Sequence, residues 1–232
     1  MFENPLPLFN CDDCLFKTIS CMHLSADEFE SIRKMSTQLH FEKGETIFKQ
    51  GAKATHVVFL HKGIVKFNYQ NEMGKNFIMT IVSGPKILGG ANLFFKEINV
   101  FSLIAVEDCD ICLIDNSAFG FALMKHGGYL MALFRESIEM FQVPIFNFIS
   151  LAHKQVNGRI ADIILYLSEN VYKSKDFHLS LTRKEIAEFA ACSPENVITT
   201  LSKLNKEGII TLEGKHCKIN DYSKLQEISK HG

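Results

Sequence analysis

A chain of 232 residues, 47% of them hydrophobic, is long enough for two modest domains, each with its own core. Its formal net charge of −1 supplies no overall field from which a nucleic-acid or membrane partner could be read. No run of eighteen apolar residues occurs, which excludes a spanning helix. The opening MFENPLPLFNCDDC lacks the basic and apolar regions of a signal peptide, so a cytoplasmic location without membrane attachment is expected.

In chain order, cysteines come first. Cys11, Cys14 and Cys21 form a C-x2-C-x6-C array, and Cys109 lies far downstream in Glu107-Asp108-Cys109-Asp110-Ile111. Seven cysteines in a reducing compartment are not expected to form structural disulfides, so metal or redox use is weighed. Four thiolates could hold a tetrahedral metal or a [4Fe-4S] cluster. Alternatively, Cys109 is a small core residue on a strand and the first three are incidental or redox-labile. Cys112 reads as a strand residue, and Cys192 and Cys217 as packing residues.

The segment from Phe41 to Phe95 is β-rich, with Gly44, Gly51, Gly63, Gly74, Gly84 and Gly89 at turns between short strands. A cupin-like enzyme holding a catalytic metal is an alternative for such a domain. Against it, His56 and His61 are separated and flanked by strand residues that alternate faces, so they read as surface or edge histidines. No Ser-His-Asp or Cys-His pairing stands out. The apolar set Leu88, Leu93, Phe94 and Phe101 could line a ligand pocket or simply fill a core.

From about Tyr129 to Leu151 there is no glycine, and Leu130, Phe134, Ser137, Phe141, Pro144/Ile145, Phe148 and Ala152 recur at three and four. This predicts a long helix with one apolar stripe. Pro144 should kink or break it near Val143, at roughly 3 kcal/mol if nothing compensates. The stripe either packs on its own β domain or pairs two subunits about a twofold axis. Pairing is preferred, with Phe134, Phe141, Phe146 and Phe148 supplying the apolar area.

The C-terminal part carries the sharpest pattern. From His153 onward there are 12 Lys and Arg against 10 Asp and Glu, and before it 13 against 16, so the C-terminal side is the slightly basic one. Thr182 and Glu185 form a capping box that starts a helix burying Ile186, Phe189 and Ala190. Ala191-Cys192 ends it; Ser193 caps a second helix and Pro194 fits its first position. Val197, Leu201 and Leu204 form the buried side of that helix, which places Glu195, Asn196, Thr199, Ser202, Lys203 and Lys206 outward. Gly208 stops it, and Ile209–Leu212 and His216–Ile219 form a hairpin around Glu213-Gly214-Lys215. Cap, tight turn, second cap, stop and hairpin in this order predict a winged helix-turn-helix that binds double-stranded DNA. The candidate contacts are Thr182, Arg183, Ser193, Glu195, Asn196, Thr199, Lys203 and Lys215.

Over nearly its whole length the chain resembles the Crp/Fnr family of bacterial transcription regulators. The resemblance implies an α+β protein with three parts. These are an N-terminal double-stranded β-helix, or cyclic-nucleotide-binding-like β-roll, with its cysteine arm (1–126); a dimerisation helix (127–152); and a winged-helix domain (153–232). It implies a homodimer, a DNA operator and contact with RNA polymerase. The three early cysteines and the Cys109-Asp110-Ile111 context are similar to the oxygen-sensing Fnr branch, which implies a [4Fe-4S] cluster on Cys11, Cys14, Cys21 and Cys109, although the second gap is one residue longer here. Where the family holds the phosphate of cyclic AMP with an Arg and a Ser after a Gly-Glu pair, this chain has Asn99, Val100, Gly89 and Gly90. Without guanidinium or hydroxyl the phosphate is not held, so cyclic AMP is not the expected effector. The tentative effector pocket is Leu88, Gly89, Gly90, Leu93, Asn99 and Val100. The family's base-reading Arg, Glu and second Arg fall on Pro194, Glu195 and Thr199, and only the glutamate survives. The usual half-site is therefore not expected, and a ligand-binding module with weak DNA specificity is an alternative.

Overall fold

The computed structural model describes residues 8–88 and 97–232. By proximity the chain forms two compact units, residues 1–65 with 83–141 and residues 66–82 with 142–232.

The first unit starts with a 3-10 turn, Cys11–Asp13, and two helices, α1 (Leu15–Cys21) and α2 (Ala26–Lys34). Ser25 and Glu28 cap α2 reciprocally, the same device that the sequence signals at Thr182. Strands β1 (Ser36–Phe41), β2 (Thr46–Phe48), β3 (His56–Lys62), β4 (Ile64–Gln70), β5 (Asn76–Ser83), β6 (Lys86–Leu88), β7 (Ser102–Ala105) and β8 (Cys109–Asp115) follow along the chain, most of β4 and β5 falling in the second unit. One antiparallel sheet has the order β1-β8-β3-β6; elsewhere β2 pairs with β7 and β4 lies beside β5. Gly63, between β3 and β4, has φ +105°, and a Cβ there would lie 2.6 Å from both Asp108 O and Cys109 Sγ, so only glycine fits.

Helices α3 (Asn116–Lys125) and α4 (Gly127–His153) come next. A core forms where Phe16, Phe29, Val57, Phe59, Cys112, Ile114, Phe119 and Tyr129 meet. Tyr129 is fully buried, its hydroxyl 2.8 Å from Ser20 Oγ, and burial pushes its pKa up to about 12.

Helix α4 passes Pro144 without interruption, so the expected break does not occur. Seventeen helical residues precede the proline and nine follow, enough helix on both sides to absorb one missing hydrogen bond. The apolar stripe is shifted from the expected one: Leu130, Ser137 and Pro144 are half-buried, while Met131, Phe134, Ile138, Phe141, Ile145, Phe148 and Ala152 are exposed.

In the second unit α5 (Val156–Tyr166) leads through a π-helical turn, Leu167–Val171, to β9 (Asp176–His178), α6 (Arg183–Ala190), α7 (Pro194–Lys206), β10 (Ile210–Glu213), β11 (His216–Ile219) and α8 (Tyr222–His231). The wing is three-stranded, in the order β10-β11-β9. The segment 66–82 belongs to this unit: Tyr166 donates to the Ile81 carbonyl, and Asn76 Nδ2 donates to Glu188 Oε1 at 3.5 Å.

Candidate nucleic-acid interface

Helix α6 starts as the sequence predicts. Glu185 N–H donates to Thr182 Oγ1 at 3.2 Å, and Glu185 Oε2 accepts from Thr182 N–H at 2.7 Å. The other carboxylate oxygen accepts from Lys66 Nζ at 2.7 Å. Burial pushes the Glu185 carboxyl up, but Lys66 and Thr182 more than offset this and hold it below its usual value.

The turn between α6 and α7 is made at Ala191, which adopts φ 46°, ψ 54°, a left-handed conformation usually left to glycine. Ser193 Oγ accepts from Asn196 N–H at 3.3 Å, and Pro194 opens α7. Val197, Thr200, Leu201 and Leu204 are buried, with the Thr200 hydroxyl donating to Asn157 Oδ1 at 2.7 Å. Asn205 Oδ1 accepts from Leu212 N–H at 2.8 Å and ties the end of α7 to the wing.

This anchoring leaves the other side of α7 exposed. Thr182, Ser193, Glu195, Asn196, Thr199, Lys203 and Lys215 are exposed, and Arg183 is half-buried. Hydrogen bonds from its own backbone amide and from Ser193 hold the Glu195 carboxyl below its usual value, so it is an ionised acceptor at neutral pH. Exposed amide, hydroxyl, carboxylate and ammonium groups on a helix fixed from behind are what major-groove reading requires. The sequence reading did not place Ile198, which is exposed on the same helix, although the buried 197, 201, 204 spacing already puts 198 off the core.

The cysteines are distributed differently from the expectation. Cys11 Sγ accepts from Gln38 Nε2 at 3.3 Å, and Gln38 on β1 is the register partner of Cys112 on β8. Cys14 and Cys112 share the buried core, whereas Cys21 is exposed. Cys109 lies three residues before Cys112, so strand alternation turns it to the opposite face of the sheet. There its thiol lies 3.4 Å from the Ile64 carbonyl and 3.1 Å from that of Glu107, as donor, and burial pushes its pKa up to about 11. Among the described residues no three His, Cys, Asp or Glu are grouped to hold a metal ion. Cys11, Cys14, Cys21 and Cys109 are thus not brought together as a set among the described residues. Cys217 is buried as expected, and Cys192 is half-buried.

Of the tentative effector pocket, Gly89, Gly90 and Leu93 lie outside the described residues. Leu88 is fully buried, Val100 half-buried, and buried Asn99 bridges to Ala52 and Gly51 through its backbone and to the Lys49 carbonyl through its amide. His56 is exposed, but His61 is a half-buried residue stacked on Phe9 at 4.0 Å rather than a surface histidine. No helix among the described residues is long and apolar enough to cross a membrane.

A sheet-built N-terminal part, a long helix and a winged helix-turn-helix are the parts of a DNA-binding transcription regulator. The comparisons agree. Residues 38–126 match the cyclic nucleotide-binding domain model and residues 158–228 the Crp-like helix-turn-helix domain model. The transcriptional activator FnrL of Cereibacter sphaeroides is 21% identical over 237 residues, 98% of this chain and 94% of that protein. The cAMP-activated global regulator CRP of Pasteurella multocida is 29% identical over 174 residues, 73% of this chain and 83% of that one. The structure of FixK2 from Bradyrhizobium japonicum superposes with a TM-score of 0.76 at 18% identity, covering 83% of this chain and 96% of FixK2. The chain belongs to the Crp/Fnr family of transcription regulators. These relatives are regulators, not enzymes, and the cupin-like alternative falls with that.

Proposed function

We propose that the chain works as a cytoplasmic homodimer that binds an operator of two half-sites and is switched by a small-molecule or redox signal received in its N-terminal domain. The observation that carries the dimer is the seam on α4. Met131, Phe134, Ile138, Phe141, Ile145, Phe148 and Ala152 follow one another at alternating steps of three and four, and all are exposed. That spacing is the a/d pattern of two helices packed side by side, and a second copy of the same helix is its natural complement. Two recognition helices related by the twofold axis then reach successive turns of the major groove.

In this reading Glu195, Asn196, Thr199 and Lys203 meet base edges or nearby phosphates. Thr182, Arg183, Ser193 and Lys215 hold the DNA backbone. Contact with RNA polymerase follows from family membership. Cyclic AMP is not the proposed effector, because Asn99 and Val100 stand where the family's phosphate-binding pair would be. An oxygen-sensing cluster would be tested by the absorption spectrum and the iron and sulfide content of anaerobically prepared protein; colourless, iron-free protein removes it.

Sedimentation of the wild type and of Phe141→Glu, with footprinting on genomic fragments, tests the whole proposal. The expected outcome is a dimer with a discrete footprint of two half-sites, and a monomer without one after the substitution. A dimer that binds only in a salt-sensitive, sequence-blind way would favour the module with weak DNA specificity instead.

A further inference from the structure

From Lys154 to the end of the chain, one large hydrophobic side chain among the described residues is exposed: Ile198, at 52%. Other large apolar residues of this stretch, Val197, Leu201 and Leu204 among them, are buried or half-buried. An isolated exposed isoleucine is ordinary on a protein surface. This one has an uncommon position, in the second turn of the recognition helix, three residues beyond Glu195 and directly before Thr199.

Residues four apart are neighbours on a helix face. Pro194 and Ile198 therefore form an apolar edge beside the polar edge of Glu195 and Thr199, and all four are exposed. In the major groove a thymine differs from a cytosine in offering an apolar group, its C5 methyl, and aliphatic side chains read it by contact.

We infer that Ile198 is a specificity-determining residue that selects a thymine in each half-site through that methyl. Glu195 accepts from the exocyclic amino group of an adjacent cytosine or adenine. The inference rests on the operator-binding function proposed above. It replaces guanine reading by arginines, which Pro194 and Thr199 cannot perform, with reading of a methyl and an amino group.

The test removes that methyl alone. The preferred operator of the full-length protein is first selected from a random duplex library. Each thymine of one half-site is then replaced by uracil, and binding is measured by fluorescence anisotropy. For the wild type, one uracil should weaken binding about three- to tenfold, the size expected for one buried methyl contact. Ile198→Ala should bind thymine and uracil duplexes equally, and Ile198→Val should retain the preference. Because the side chain is exposed, circular dichroism of Ile198→Ala should match the wild type. Specific binding in which no uracil matters, or in which Ile198→Ala keeps the same uracil penalty, overturns the inference and leaves operator binding intact. Sequence-blind binding by the wild type sinks both.

Discussion

Two helices of this protein begin with the same device in different surroundings. At the start of α2, Glu28 Oε2 accepts from Ser25 N–H and Oγ, while its Oε1 takes Lys125 and His126. At the start of α6, Glu185 Oε2 accepts from Thr182 N–H and Oγ1, while its Oε1 takes Lys66. In both, one oxygen caps the helix and the other binds a lysine from a distant segment. The surroundings decide what the second bond is worth. Side-chain exposures are 58% for Lys125 and 25% for Glu28, against 11% for Lys66 and 17% for Glu185. Water can replace the first lysine but hardly reaches the second.

Removing the glutamates should separate the two sites most. Glu185→Ala leaves the Lys66 ammonium with little water and no partner, and should cost about 2 kcal/mol, less than a fully buried pair because its rim is wet. Glu28→Ala removes a cap and an exposed ion pair, so its loss should be clearly smaller. Urea denaturation of the two variants measures both. Equal losses would mean that burial does not distinguish the sites. Lys66→Met against Lys125→Met repeats the comparison from the cationic side, with the second close to neutral.

Acid and salt sharpen it further. Both carboxyls are held below their usual value, Glu28 by Lys125, Ser25 and His126, and Glu185 by Lys66 and Thr182 against the opposing effect of burial. A depressed folded-state pKa contributes stability that is fully present above the unfolded glutamate value of about 4.3 and is lost as pH falls through the folded value. Stability should therefore drop below about pH 4.3, and Glu28→Gln and Glu185→Gln should each flatten that acid limb. In 1 M salt the Debye length is only about 3 Å, so the effect of Glu28→Gln should shrink while that of Glu185→Gln persists. Urea midpoints from pH 7 to 3 at two salt concentrations would show a contradiction if both effects shrank alike.

How far the sequence reveals this depends on the range of each interaction. Thr182-Arg-Lys-Glu185, Ser193-Pro194 and Gly208 act within four residues, and the structure has each where local chemistry places it. Ser25-Ala-Asp-Glu28 carries the same signature as Thr182 to Glu185, so α2 was equally legible, although without a strong apolar run to draw attention to it. Lys66 was not legible, because it lies 119 residues from Glu185 and nothing local marks it. The third wing strand, Asp176–His178, is only three residues long and exists through its pairing with β11, where His216 Nε2 lies 2.6 Å from Asp176 Oδ1. The surroundings of the cysteines were likewise set by long-range pairing. The resemblance implies a set of four with Cys109, whereas the pleat of β8 turns Cys109 and Cys112 to opposite faces and leaves Cys112 on the side of the arm.

The two helices also end differently, and this gives the smallest and most local comparison. Helix α2 closes at Met35 with φ −100°, ψ 22°, a conformation open to any residue, whereas α6 closes at Ala191 with φ 46°. A Cβ in the left-handed region crowds the following carbonyl, and glycine avoids that crowding but has more freedom to lose on folding. At Ala191 the steric relief exceeds the entropy, so Ala191→Gly should stabilise by about 0.5–1 kcal/mol. At Met35 there is nothing to relieve, and Met35→Gly should destabilise through entropy and lost side-chain contact. Thermal denaturation should thus move in opposite directions for the two variants. The Ala191 substitution also bears on function, since this residue lies in the turn between α6 and α7. If Ala191→Gly raised the melting temperature but weakened operator binding, the strained turn would be fixing the orientation of the reading face rather than merely ending a helix.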